Sequence, residues 1–315
     1  MKNYSAKIAA EMVVIRNVEH GLSRHLNKEL ARTKVASVLT EKAHIQALTS
    51  VASWLHDLSG KHLKNLKKVE AETFLNERAK THGQSSVSLA RQAINLHLLQ
   101  NERLDFVKAE APTELIDRAY TSAEIELLVE CAGPELALSI SLSEDAGLRG
   151  MELLTLALPG QLHPSERDWL PDRFRGREDA ARFVVWGKGG LHREVRVSPV
   201  LAAQLEELRR EAKVTVSHRG AHLPSVFALM GGHRFSKEFG RLSAKVLGFS
   251  HGAHGLRHSF AQRRRVELLC VGLTLGEAIL VISQELGHFH TKNTLAYVRD
   301  MDVASISMDA NRVRV

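Results

Sequence analysis

Cysteine is nearly absent. The 315-residue chain has two, Cys131 and Cys270, far apart and each in an apolar setting. That argues against a disulfide framework and fits a reducing cytoplasm. No Cys-x-x-Cys or His-Glu-x-x-His spacing occurs, so no metal site is expected. Most of the 17 histidines follow no ligand pattern. Long apolar runs are missing too. The longest, Val266 to Ile282, contains Glu267 and Glu277 and is too short and too charged to span a bilayer. The opening Met1-Lys2-Asn3-Tyr4-Ser5 lacks the apolar core of a signal peptide. No membrane association is expected, and no repeat or low-complexity tract is present. Tyrosine is nearly as scarce as cysteine: only Tyr4, Tyr120 and Tyr297.

What is present is an ordinary globular composition, 44% hydrophobic and 25% charged, in a chain long enough for two domains. The net charge is +7 and the pI about 9.5, a balance that suits nucleic acid or an anionic membrane surface. Residues 1–118 hold 18 Lys and Arg against 13 Asp and Glu, a surplus of five, while the remaining 197 residues have a surplus of two. Either the N-terminal part faces DNA or this is a scattered solvated surface.

Residues 1–105 carry helical periodicity. In 41–57, Ile45, Leu48, Val51, Ala52 and Leu55 recur at three- and four-residue steps. Similar patterns predict helices over 5–32, 67–82 and 86–104, punctuated by Gly60 and Gly83. Lys61, Lys64, Lys67 and Lys68 lie between two of these helices. They could sit on phosphates or simply solvate a helix start. Periodicity fades over 106–120, which reads as a linker. Thr121-Ser122-Ala123-Glu124 then reads as a capping box that opens a second domain. Helices are expected at 122–131, 134–145 and 150–157, then a loop or insertion over 158–178. Arg182–Trp186 and Glu194–Val197 have strand composition around a glycine-rich tip that carries Lys188, so a β-hairpin is expected. Ser198-Pro199 opens a helix over 200–210, and the rest is expected to be mainly helical. The fold class is therefore mainly α: a helical domain over 1–110, then a mixed α+β domain over 121–315, mostly helical with a small hairpin.

Four short segments carry chemistry. Ala146-Gly147-Leu148-Arg149-Gly150-Met151-Glu152-Leu153 puts an arginine at a turn-to-helix junction. His254-Gly255-Leu256-Arg257-His258 sets a histidine and an arginine three residues apart on one helix face. Leu286-Gly287-His288 follows, and Tyr297 lies just beyond it. Cleaving a phosphodiester without a metal requires fixed cations around its non-bridging oxygens. Arg149 and Arg257 suit this, because a guanidinium is planar and permanently charged. Tyr297, the one tyrosine that follows a Leu-Gly-His, is the candidate nucleophile. Lys188 at the hairpin tip is a candidate general acid for the leaving oxygen. His254 and His288 can bind the phosphate or assist proton transfer.

These segments resemble the active-site boxes of the tyrosine recombinases, the phage-integrase family. Arg149 falls in a Gly-Leu-Arg-x-x-Glu-Leu box and Lys188 at a hairpin lysine. His254 and Arg257 fall in His-x-Leu-Arg-His, His288 in Leu-Gly-His, and Tyr297 after it with Thr294 before it. The resemblance covers about 122–300. It implies a clamp of two domains on duplex DNA, with the N-terminal part as core-binding domain. Tyr297 would form a covalent 3′-phosphotyrosyl link and release a 5′-hydroxyl, with no cofactor and no metal. Four protomers would join two recombination sites and exchange strands through a Holliday junction, in some systems with accessory DNA-bending proteins. The implied activity is site-specific recombination for a mobile element. The alternatives are a type IB topoisomerase with the same chemistry and a catalytically silent DNA-binding protein of the same fold.

Three features depart from the pattern. The gap from His254 to His288 is 34 residues, so an insertion is expected over 262–276 with Arg263-Arg264-Arg265 at its start. Leu191-His192 stands where a second basic residue is common. The 158–178 loop reads as an addition. Past Tyr297, residues 302–315 are expected to dock on a neighbouring protomer or to pack on their own domain.

Overall fold

The computed structural model describes residues 5–20, 29–99, 102–111, 118–218 and 221–289, together with Thr294 and Tyr297. Residues 302–315 lie outside the described residues. The chain divides into two compact units, Met1–Glu114 and Leu115–Val315. Its described elements are mainly helices with two small antiparallel sheets.

In the first unit, α1 (Ala6–Val14) starts at Ser5, whose hydroxyl accepts from the Ile8 N–H. The helix expected to run to residue 32 stops early, in a single 3-10 turn at Ile15–Asn17. The backbone groups beyond it are used elsewhere: Val35 N–H donates to Asn17 O and Glu19 N–H to Val35 O, so Val18 and Val35 form a parallel bridge. Residues 21–28, inside that expected helix, lie outside the described residues. After the short α2 (Leu30–Thr33) come α3 (Val38–Ser59), α4 (Lys68–Thr81) and α5 (Gln84–His97). Ser37 caps α3 at its start, and Gly60 ends it in the left-handed conformation, φ 67°. Leu48, Val51, Leu55, Leu75, Val87 and Ile94 are fully buried between these helices. Each contributes on the order of 1.5–3 kcal/mol by leaving water.

A buried polar chain crosses this core. Asn17 Nδ2 lies 3.1 Å from His97 Nδ1, and His97 Nε2 lies 3.0 Å from His44 Nδ1. An amide N–H₂ can only donate, so His97 carries its proton on Nε2. The expected linker is in part docked. Leu104 N–H donates to Asn95, Ala109 N–H to Gln84 and Glu110 N–H to Ala79 O. Those bonds explain why 102–110 is ordered without being helical.

In the second unit, Thr121 and Glu124 form the capping box of α6 (Ser122–Glu130), followed by α7 (Pro134–Asp145) and α8 (Gly150–Leu154). Helix α8 is shorter than the expected 150–157 because Ala157 bridges Val184 instead. Strands β1 (Ala181–Trp186) and β2 (His192–Val197) pair with Phe183 opposite Val195 and Val185 opposite Arg193. The 158–178 segment is a loop of turns, as expected. Helix α9 (Pro199–Glu206) is followed by a second hairpin where helix is expected, β3 (Arg209–His218) and β4 (Ala221–Phe227). The β-branched run Val214-Thr215-Val216 favours a strand there. Helices α10 (Gly232–Leu247), α11 (His254–Cys270) and α12 (Leu275–Glu285) complete the described elements.

The 262–276 segment is not a separate inserted loop. Residues 262–270 are the second half of α11, and a short turn leads into α12. Arg264 is fully buried there, bonded to Glu285, Glu267 and Arg175 O. Both cysteines are free and exposed rather than set among apolar groups, because each sits at a helix C-terminus that meets solvent. Among the described residues no helix is long and apolar enough to cross a membrane.

Candidate active site

The turn from α7 into α8 holds the first arginine. Gly147 has φ +59°, and a Cβ on it would stand 2.6 Å from the Phe260 ring. Only glycine lets this turn close on α11. Arg149 is the N-cap of α8. Its backbone N–H donates to Glu152 Oε2 at 2.8 Å and its Nη1 to Oε1 at 2.7 Å. Glu152 is completely buried. It also accepts from Arg193 Nη2 at 2.7 Å, with Arg257 Nη1 at 3.8 Å. Burial alone would raise the pKa of this carboxyl. The charges of Arg193, Arg149 and Arg257 outweigh it and hold Glu152 well below the usual carboxylate range.

Strand alternation puts Arg193 on the same face of the hairpin as Val195 and Val197. From the tip end of that face it reaches Glu152, Gly147 O and Glu285 O. The hairpin closes through Gly187 N–H to Leu191 O, and a Cβ on Gly187 would stand 2.8 Å from Glu152 Oε1. This close approach brings Lys188, exposed at the tip, to the cleft that Arg149 also lines.

Helix α11 presents His254, Arg257 and His258 on one face. His254 Nε2 lies 2.9 Å from the Tyr297 hydroxyl. The His258 ring stacks on the Tyr297 ring, 4.1 Å between centroids at 25°. His288, two residues past the end of α12's cap, has Nε2 3.4 Å from Arg257 Nη2 and Nδ1 3.2 Å from Thr294 Oγ1. Arginine can only donate, so Nε2 of His288 is the acceptor and its proton sits on Nδ1, toward Thr294. Burial first, then the charges of Arg257, His258 and Arg149, lowers the pKa of His254 to about 4. Burial, then Arg257, Arg149 and Arg193, lowers that of His288 to about 3. Both rings are neutral at pH 7.

Arg149, Lys188, His254, His288 and Tyr297 line one cleft of about 470 Å³, floored by Glu152. Arg257 is not on its wall. Its guanidinium is fully buried behind it and donates to Gly147 O and Leu286 O, and among the described residues its Nε has no hydrogen-bond partner. Lys64, Lys67 and Lys68 belong to the first unit. Lys64 and Lys67 are exposed, and Lys68 lies 3.9 Å from Glu72. Their neighbour Lys61 is held by Glu70 at 2.5 Å.

No family model and no curated protein matches the sequence. Solved structures do match. One is the XerH site-specific recombinase bound to its difH substrate before cleavage, at 14% identity, 98% of this chain, 94% of that one and a TM-score of 0.53. Another is the Tn1549 transposon integrase with transposon right-end DNA, at 13% identity, 93% and 99% coverage and a TM-score of 0.51. A third is a lambda integrase tetramer on a Holliday junction, at 15% identity, 96% and 83% coverage and a TM-score of 0.52.

The chain has the tyrosine recombinase fold. The cleft of this recombinase fold also uses residues to which the sequence alone assigns no role. Glu152 is legible in retrospect as the acidic residue three after Arg149, a capping-box spacing. His258 closes the His-x-Leu-Arg-His segment, though its stacking on Tyr297 depends on the approach of that residue to α11, and Arg193 carries no comparable signal because its placement depends on hairpin register.

Proposed function

We propose that this chain is a site-specific DNA recombinase that cuts and rejoins DNA through Tyr297. The observation that carries the reading is the 2.9 Å contact between His254 Nε2 and the Tyr297 hydroxyl, in a cleft that also holds Arg149, Lys188 and His288. A tyrosine of ordinary pKa near 10 needs a base and nearby positive charge to attack. His254 is neutral and accepts the phenolic proton as the oxygen bonds to phosphorus. The phosphorus–5′-oxygen bond breaks, and Lys188 gives the leaving oxygen its proton. Arg149 faces the non-bridging oxygens. Arg257 acts from behind the wall, where it fixes His288 Nε2 and adds charge at short range. Reversal, with a 5′-hydroxyl from a partner duplex as attacker, rejoins the strands.

The second unit carries this chemistry, and the first, with Lys64, Lys67 and Lys68 on phosphates, holds the flanking duplex. Because the lambda integrase structure is a tetramer on a Holliday junction, the arrangement proposed here is four copies on two duplex sites, in the cytoplasm of the host cell. The test is incubation with suicide duplexes carrying candidate sites, read on a denaturing gel. An SDS-stable adduct from the wild type and none from Tyr297→Phe, with equal DNA binding, is expected. An adduct from the Phe variant eliminates Tyr297 as nucleophile. Relaxation of supercoils without site preference would point to the topoisomerase alternative.

A further inference from the structure

The loop between α8 and β1 touches two site-bearing elements at once. At one end Ser165 grips the hairpin: its N–H donates to His192 O and its Oγ accepts from His192 N–H, both at 3.0 Å. His192 is four residues from Lys188. At the other end the Trp169 ring packs on Phe289, 4.8 Å between centroids. Phe289 follows His288 directly, and it is the one non-glycine residue with a positive φ, 51°, among the described residues. Such a conformation strains a bulky residue and persists where packing holds it. Between these ends the Gln284 side chain accepts from Leu170 N–H at 2.6 Å and donates to Asp168 O at 2.9 Å. Leu170 and Tyr297 pack on the same apolar cluster of α11 and α12.

One side chain joins the two ends. The Trp169 indole N–H donates to Ser165 O at 2.9 Å while its ring covers Phe289. We infer that residues 165–170 are a strap, with Trp169 as its positioning residue, that sets the Lys188 hairpin and the His288 turn relative to each other across the cleft. The roles of Lys188 and His288 rest on the function proposed above; the mechanical link does not. A loop that only covered the surface would need neither a two-way backbone grip on the hairpin nor an aromatic clamp on a strained residue. Together they remove the freedom of two catalytic groups on separate elements, and misplacement by about 1 Å can cost roughly 100-fold in rate.

The indole makes the link separable. Trp169→Phe keeps the ring and loses the N–H, whereas Trp169→Ala loses both. In the full-length protein, amide hydrogen exchange in Trp169→Phe should rise about tenfold in 187–193, the effect of one lost hydrogen bond, and stay unchanged in 285–289. In Trp169→Ala it should rise in both segments. Ser165→Ala should mimic Trp169→Phe. Single-turnover cleavage should slow roughly 10- to 100-fold in Trp169→Phe and recover on a duplex with a 5′-thio leaving group, which needs no acid. Trp169→Ala should stay slow on both duplexes. Unchanged exchange in both segments, or equal loosening of both by the Phe and Ala variants, overturns the strap. If the wild type forms no adduct on any duplex, the proposed function fails while the exchange pattern still decides the strap.

Discussion

Replacing Glu152 with glutamine is the sharpest test of the site's electrostatics. The two side chains have nearly the same shape, so no cavity opens. What changes is the charge of a group with no solvent exposure that is bonded to Arg193, Arg149 and the Arg149 backbone, with Arg257 at 3.8 Å. Removing one partner of a buried ion pair costs about 3–5 kcal/mol, because the other charge remains desolvated. Here Arg193 and Arg257, both essentially buried, keep their backbone carbonyls, Arg257 keeps His288 Nε2, and the amide offers one neutral oxygen, but among the described residues no anion faces either guanidinium, so Glu152→Gln should fall within that range. That is a large share of a typical stability of roughly 5–15 kcal/mol. Urea unfolding at pH 7 in a Trp54→Phe background measures it, since the remaining tryptophans, Trp169 and Trp186, both lie in the second unit. The sign with pH follows from the depressed pKa of Glu152. Its folded value lies below its unfolded one, so its contribution is full above the unfolded carboxylate pKa and falls as pH drops toward the folded value. A loss under about 1 kcal/mol would refute the reasoning, since it would equal an ordinary hydrogen-bond exchange.

Three further outcomes are expected. Lys188→Ala should slow cleavage by roughly 10²–10⁴-fold and be rescued by a 5′-thio leaving group in single-turnover assays; no rescue argues against Lys188 as the acid. Burial, then the charge of His44, lowers the pKa of His97 to about 4, so the folded first unit resists its protonation. Stability is full above about pH 6.5 and should fall by up to about 3 kcal/mol as pH drops toward 4. His97→Gln should lose less over that window in parallel urea titrations, and identical slopes would dismiss the group. Changing Lys64, Lys67 and Lys68 together to alanine should flatten the log–log salt dependence of DNA affinity without changing sequence preference. An unchanged slope would return the cluster to the solvent.

Much of the architecture was written in local patterns. The helices at 38–59, 68–81, 122–130 and 134–145 and the first hairpin follow from period and capping residues that act within a few positions. The segments holding Arg149, Lys188, His254, His288 and Tyr297 were equally legible as sequence, and the fold brings those side chains to one cleft. Local signals failed where distant backbone competed. The first helix ends because Val18 finds Val35, and α8 ends because Ala157 finds Val184. A segment that looked inserted is a helix because Arg264 finds Glu285 across the core. The sequence by itself determined which arginines, histidines, lysine and tyrosine stand in those segments. Tertiary structure decided how they are held: Glu152 among three arginines, Arg257 behind the wall rather than on it, Tyr297 against His254 and His258, and Trp169 between two site elements. Each depends on contacts between residues far apart in the chain, and those are set by packing that no local window contains.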